Sequence, residues 1–446
     1  MNVRHIACSL VKIRSALTNP DNINLLIQAG FLLLLEECFD KNSLDISING
    51  VWTLCNIACG DSEQTEQVIQ YLPYLVQLLE AESSNPCLQA QCLWCLSNIA
   101  GDSVAHRDTV LRMVPLSLLK NLISERSPPE LRENLAWLMG NIARQGPYGA
   151  GPGLLDRIFE VLNSVLSSIE ACDCEVVSAV CRALLNVLHK MDEDNAVEAL
   201  KTSNIVRRLV RHSMHFPPDM ECSRRCFGDT IKLIADLLAS DDETCQAFID
   251  QGALGILSIV VHEELSGLYY HACFAIANVF ACSPAQIQCA INHDLLTAAI
   301  HQLEHGNYRV QREAGIALCS FLGGARETQV LQAFNRGLVP PLVQQLRSLD
   351  ARTVYDTLVS LFRLMKHANE LGKLDECLQE MIDCGIEERI KTLEDYDSKH
   401  IAELAGLFHE TLLKVKADIN EFSDEVCFQI EGRWNDPGVD TVETAV

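Results

Sequence analysis

The sequence predicts an all-α protein, a solenoid of stacked helical repeats, and three observations carry that prediction. Three of the four tryptophans share one frame: Trp52-Thr53-Leu54-Cys55-Asn56-Ile57-Ala58, Trp94-Cys95-Leu96-Ser97-Asn98-Ile99-Ala100 and Trp137-Leu138-Met139-Gly140-Asn141-Ile142-Ala143, set 42 and 43 positions apart. A period of that size marks arrays of two- or three-helix units. Glycine keeps a second register, at Gly30, Gly252, Gly337 and Gly385, each between a helical stretch and an apolar run, with Asp294 in the same slot. Composition agrees: 48% of residues are hydrophobic but only 6% aromatic, which suits stacked helices rich in Leu, Ala, Ile and Val.

Taken in order, a half-formed repeat over residues 1–45 precedes the Trp52 frame. Each following unit reads as a helix, a sharp turn at the glycine slot, a second helix, and then the helix that carries the Trp frame. Beyond Trp137 the Trp and Asn slots hold Arg182 and Asn186, Lys232 and Asp236, Phe274 and Asn278, Ile316 and Ser320, and Asp356 and Ser360. A last unit runs from about Leu374 to Leu413, which makes about ten. Gly-Asp-Ser at 60–62 and again at 101–103 reads as a helix stop followed by an N-cap. Gln145 to Gly153, rich in Gly and Pro, reads as a turn or mobile loop. Residues 1–415 are expected to form the solenoid and 416–446 an acidic flexible tail.

Charge narrows the partners. Lys and Arg total 35 against 60 Asp and Glu, a net charge of -25, which argues against nucleic acid and favours basic partners drawn by a salt-sensitive field. Many of the 20 cysteines sit inside helical patterns, among them Cys55, Cys92, Cys95, Cys181, Cys273 and Cys319. They read as small buried hydrophobes of a reducing compartment. Cys92 and Cys95 form C-x-x-C without a βαβ context, so a thiol-dependent activity there is only a minor alternative. No signal peptide is recognised, and the apolar run Phe31 to Leu35 is too short to span a bilayer; a soluble intracellular protein without membrane contact is expected. The 13 histidines are scattered, with no H-E-x-x-H, G-x-S-x-G or phosphate-binding glycine loop. No enzyme, cofactor or metal is expected.

The Trp–Asn frames carry the candidate site. Four residues apart on a helix, Trp and Asn project from one face. An indole face stacks on the stem of Lys or Arg and attracts its cationic head. An Asn amide offers donor and acceptor to the backbone of an extended peptide. A lone Trp on a helix is more often core, but three in register, each with Asn one turn on, point to a binding surface. Asp102, four residues past Asn98, is placed to pair with a ligand lysine; an N-cap role for the next helix fits it equally well. Gln91 and Asn134, three residues before Trp94 and Trp137, share that face or are merely solvated. Arg207, Arg208 and Arg211 read as an exposed face.

These residues resemble importin α, the armadillo-repeat adaptor of nuclear import. Residues 52–65 (WTLCNIACGDSEQT) and 94–108 (WCLSNIAGDSVAHRD) are similar to the family's second and third repeats, and 370–385 (ELGKLDECLQEMIDCG) to its late repeats. The resemblance covers roughly residues 5–430 and is weakest between 145 and 250. It implies a right-handed superhelical solenoid of about ten armadillo repeats, shared between cytoplasm and nucleus. It also implies a groove for basic nuclear localisation signals on repeats two to four: Trp52, Asn56, Trp94, Asn98, Trp137 and Asn141, with support from Gly60, Thr65, Gln91, Asp102 and Asn134. A minor site would be degenerate, with Lys232, Phe274, Asn278 and Glu313 kept, Asp236 in place of Asn, and Ile316 and Ser320 in place of Trp and Asn. Arg182 replaces the Trp just beyond the major site, and Ala179 an acidic residue. Residues 385–420 are similar enough to leave docking of an export receptor open. The family's basic N-terminal segment, which binds importin β, has no counterpart. That implies either a truncated form or an adaptor that does not engage importin β in the usual way and keeps an open groove. The competing reading is a scaffold that holds a basic or extended protein partner with no transport role.

Overall fold

The computed structural model describes residues 2–417 except 82–84, 147–152, 170–172, 192, 217–219, 240 and 263. Among the described residues there are α-helices and one short 3₁₀ turn, with no strand. The expected tail from 418 onward and the centre of the 145–153 loop lie outside the described residues. Two compact units divide the chain, one from Met1 to Leu233 and one from Ile234 onward.

In the first unit, triplets of helices repeat. Asp21–Gln28, Phe31–Phe39 and Leu44–Ile57 form one, Ser62–Ile69, Leu72–Glu80 and Pro86–Asp102 the next, and Val104–Met113, Leu116–Asn121 and Pro129–Arg144 a third. Val3–Ala16 precedes them as the closing helix of a partial unit and packs on Leu44–Ile57. Cys174–Leu188 follows and packs on Pro129–Arg144. The second unit opens with the triplet Asp242–Asp250, Ala253–His262 and Tyr269–Phe280, and closes with Leu374–Asp383, Ile386–Glu394 and Lys399–Ala417. Each unit is thus an all-α stretch of armadillo-type solenoid.

The turn slot behaves as its chemistry requires. Gly30, Gly252, Gly337 and Gly385 all adopt positive φ, between 74° and 96°, the left-handed region open to glycine. Asp294, expected in this slot, takes φ 59°, and Asn204, which the sequence analysis does not assign, takes φ 54°. Asn and Asp tolerate this conformation better than other side chains. Tyr71 and Pro115 begin the second helices of two Trp-bearing units without a left-handed residue, so the glycine register lapses where the Trp register is strongest.

The third helices bury one face against the stack. Val51, Leu54, Cys55 and Ile57 are fully buried, as are Leu93, Cys95, Leu96 and Ile99, and Leu135, Leu138, Met139 and Ile142. At about 25 cal/mol per Å² of apolar surface removed from water, this face holds each triplet to its neighbours. The opposite face is free to display what the repeat carries. Among the described residues no single helix is long and apolar enough to cross a membrane.

Candidate functional site

Trp137 is 46% exposed although its neighbours Ala136 and Leu138 are fully buried. Trp52 and Trp94 are half-buried, with ring centroids 6.2 Å apart and planes tilted by 53°. The three indoles therefore lie on the outer face of their helices, and none belongs to the core.

Asparagine forms a regular strut. Asn56 Nδ2 donates to the carbonyl of Arg14 at 3.0 Å, Asn98 to Cys55 at 3.2 Å, Asn141 to Ser97 at 3.0 Å, and Asn186 to Gly140 at 3.2 Å. Each bond reaches back one repeat, to the preceding third helix. Asn134 does the same two turns before Asn141, donating to the Ala90 carbonyl at 3.0 Å. These amides thus spend their nitrogen on the scaffold, and their oxygens remain as acceptors along the same face. Gly140 allows the close approach: a Cβ there would lie 3.2 Å from the Ala183 backbone.

The two Gly-Asp-Ser junctions resolve differently. Asp61 caps Ser62–Ile69 in a capping box with Gln64, and a Cβ on Gly60 would strike the Gln64 side chain. In the second copy Ser103 takes the cap, accepting from the His106 backbone, and Asp102 ends the preceding helix. Its carboxylate accepts from Ser62 Oγ at 2.6 Å and lies 2.7 Å from His106 Nδ1. The other ring nitrogen of His106 is 2.7 Å from Glu66. The Asp102 side chain is 15% exposed, and both contacts are made by Oδ2, which leaves Oδ1 with acceptor capacity to spare. Thr65 is fully buried, its hydroxyl bonded to the Ala58 and Asp61 carbonyls; it fixes the junction and is not presented to a ligand. Gln91 Oε1 is buried without a hydrogen-bond partner, a state that costs free energy unless a donor arrives.

Glu133, which the sequence analysis does not single out, joins the candidate site. It lies four positions before Trp137 and eight before Asn141, on one helical face. A cleft of about 420 Å³ is lined by Glu133, Trp137, Asn141, Arg144, Arg182 and Asn186. Burial pushes the Glu133 carboxyl above its ordinary value, and Glu175 nearby adds to that, with Arg182 opposing. The helical spacing alone was the signal. Arg182 lies 3.4 Å from the buried Asp229, which also accepts from Ser178, so this end of the row is partly self-neutralised.

The remaining residues scatter. Lys232 is exposed in the first unit, 4.0 Å from Asp229. In the second unit Phe274 is 38% exposed and Asn278 keeps the strut, donating to Ala235 at 2.8 Å. Glu313 is buried, and burial raises its carboxyl, opposed by Arg312. Ile316 is half-buried and offers no π face.

Stacked three-helix units with an Asn strut define an armadillo-repeat solenoid, and an armadillo/β-catenin-like repeat model matches residues 61–101. By sequence the chain is similar to importin α subunits. Importin subunit alpha-1b of Oryza sativa subsp. japonica is 27% identical over 368 residues, covering 81% of this chain and 66% of that protein. Importin subunit alpha-2 of Arabidopsis thaliana is 30% identical over 196 residues, covering 43% and 35%. Importin subunit alpha-5 of Arabidopsis thaliana is 25% identical over 403 residues, covering 89% and 75%. Against alpha-1b and alpha-1a of rice, the chain spans 66% and 50% of their length. The crystal structure of an engineered protein superposes with TM-score 0.71 at 19% identity, covering 93% of this chain and 96% of that one; it bears on the fold alone.

Proposed function

We propose that the first unit binds short lysine- or arginine-rich segments of other proteins, as an importin-α-like adaptor for basic nuclear localisation signals shared between cytoplasm and nucleus. The observation that carries this reading is the outward row of Trp52, Trp94 and Trp137, each with an Asn one turn on. Half-exposed indoles attract cationic side chains by about 0.5–2 kcal/mol each. The Asn oxygens accept peptide N–H groups, and the partly exposed Asp102 carboxylate pairs with a lysine head. The excess of acid, -25 overall, concentrates basic ligands. The second unit supports weaker recognition, because Ile316 and Ser320 remove one Trp–Asn pair. The reading is of a binding protein, not a catalyst, and it leaves importin β and an export receptor at residues 385–417 as partners to be sought.

Titration of a fluorescent lysine-rich peptide tests it. Affinity should fall with salt and drop at least several-fold in Trp94→Ala and in Asp102→Lys. Unchanged affinity in both variants would remove the site assignment. A pull-down that captures basic cargo but never a transport receptor would favour a plain scaffold.

A further inference from the structure

Trp52 already holds a cation. The guanidinium carbon of Arg14 lies 3.8 Å from the centre of the Trp52 ring, well inside the range of about 6 Å over which such a pair attracts. Arg14 sits in the last turn of Val3–Ala16, and its backbone carbonyl receives the Asn56 strut at 3.0 Å. It is therefore held at two points, through its main chain by Asn56 and through its side chain by Trp52. Among the described residues no carboxylate pairs with it, on a chain rich in carboxylates, so the indole is its electrostatic partner. Trp94 is the neighbouring aromatic of Trp52, with ring centroids 6.2 Å apart and planes tilted by 53°.

We propose that Arg14 is a specificity-determining residue of the groove: it fills the cation subsite of Trp52 from within the chain. The row then reads a ligand's basic side chains at Trp94 and Trp137, beside Asp102 and Glu133, and favours a short basic cluster over a long basic tract. The position explains why this arises here. Arg14 lies 42 residues before Asn56 and so occupies, in the partial first unit, the slot that Asn holds in the next ones. A long cationic side chain there reaches forward over the following indole, where a short amide reaches only back. This inference rests on the peptide-binding reading above.

The experiment uses the full chain and two fluorescent peptides, one with two lysines and one with five in succession. Arg14→Ala should tighten the five-lysine peptide about two- to fivefold, the gain expected from one cation–π contact at a partly exposed site, and change the two-lysine peptide less. Arg14→Gln, which keeps most of the stem without the charge, should act in the same direction. Trp52→Ala should weaken binding more in the Arg14→Ala background than in the wild-type chain. Equal or weaker binding of the five-lysine peptide in both Arg14 variants, with Trp94→Ala still damaging, overturns the inference and leaves the peptide reading standing. Absence of binding by either peptide to the wild-type chain sinks both.

Discussion

The Asn141 amide nitrogen lies 3.0 Å from the carbonyl oxygen of Ser97 and 3.0 Å from its hydroxyl, joining two third helices one repeat apart. The same strut recurs at Asn56, Asn98, Asn186 and Asn278. Each bond ties a third helix to the one before it and so holds in place the helix that carries the neighbouring aromatic or its replacement.

Removing the strut should therefore cost stability as well as binding. Asn141→Ala is expected to lose about 1 kcal/mol, the usual net worth of such a bond. Asn141→Asp should lose more, because a carboxylate would face the Ser97 carbonyl with no proton to give. Urea unfolding followed by far-UV circular dichroism reads both; equal midpoints for the two variants and wild type would show that the strut carries nothing.

The sequence made the third helices legible because Trp is rare and recurs at a fixed period with Asn four residues on. The second register was legible for the same reason, since few residues tolerate positive φ, and Asp294 confirmed that a polar residue fills the slot. Asn204 was not legible because it lies 48 positions before Gly252, off the 42- and 43-residue steps that place Asp294 and Gly337. The division of labour at 60–62 and 101–103 was not legible: the same three letters yield a capping Asp61 in one copy and a capping Ser103 in the other. Which residue caps depends on where the preceding helix ends, and Asp102 is still helical. Nor did spacing reveal that Thr65 is buried, or that Arg14 would cross to Trp52, since both follow from packing between repeats.

Arg132 tests the packing around the helix Pro129–Arg144. It is 4% exposed. Its guanidinium donates to Ser168 Oγ at 3.0 Å, the Ser168 carbonyl at 2.7 Å, the Glu125 carbonyl at 2.9 Å and Asp173 at 3.1 Å. Burial pushes the Asp173 carboxyl up, and Arg132 is the strongest opposing influence. Arg132→Ala should cost about 3–5 kcal/mol, because it strands a carboxylate and several carbonyls. Arg132→Lys should recover little of it, since an ammonium cannot reproduce the planar fork. A loss below about 1 kcal/mol in both would contradict this account.

Thiol chemistry offers an independent check on the packing. Cys92 and Cys95 are fully buried, and burial drives the Cys92 thiol well above its ordinary value, with Cys95 adding to it. The thiolate is the reactive form, so brief iodoacetamide treatment of native protein at pH 8 should leave both unlabelled while the exposed Cys8 and Cys87 react. Peptide mapping by mass spectrometry decides it, and rapid native labelling of Cys92 would restore a thiol-dependent role for the pair.

On the proposed peptide-binding reading, Glu133 makes affinity depend on pH. Its carboxyl is raised above the ordinary 4.5 by burial and by Glu175. A bound lysine or arginine favours the ionised form, so it lowers that pKa in the complex. Affinity is then constant at neutral pH and falls as pH drops through the raised value of the free protein towards the lower value of the complex. Stability of the free protein runs the other way. The folded state holds its proton longer than the unfolded one, so this group's contribution falls as pH rises from 4.5 through the raised value and is level above it. Glu133→Gln should remove both slopes: at pH 7.5 the variant binds a lysine-rich peptide more weakly than wild type, and the two converge as the solution is acidified. Calorimetric titrations between pH 7.5 and 4.5 measure this directly. If the variant keeps the full wild-type pH slope, the proton belongs to another group and Glu133 is not part of the cation site.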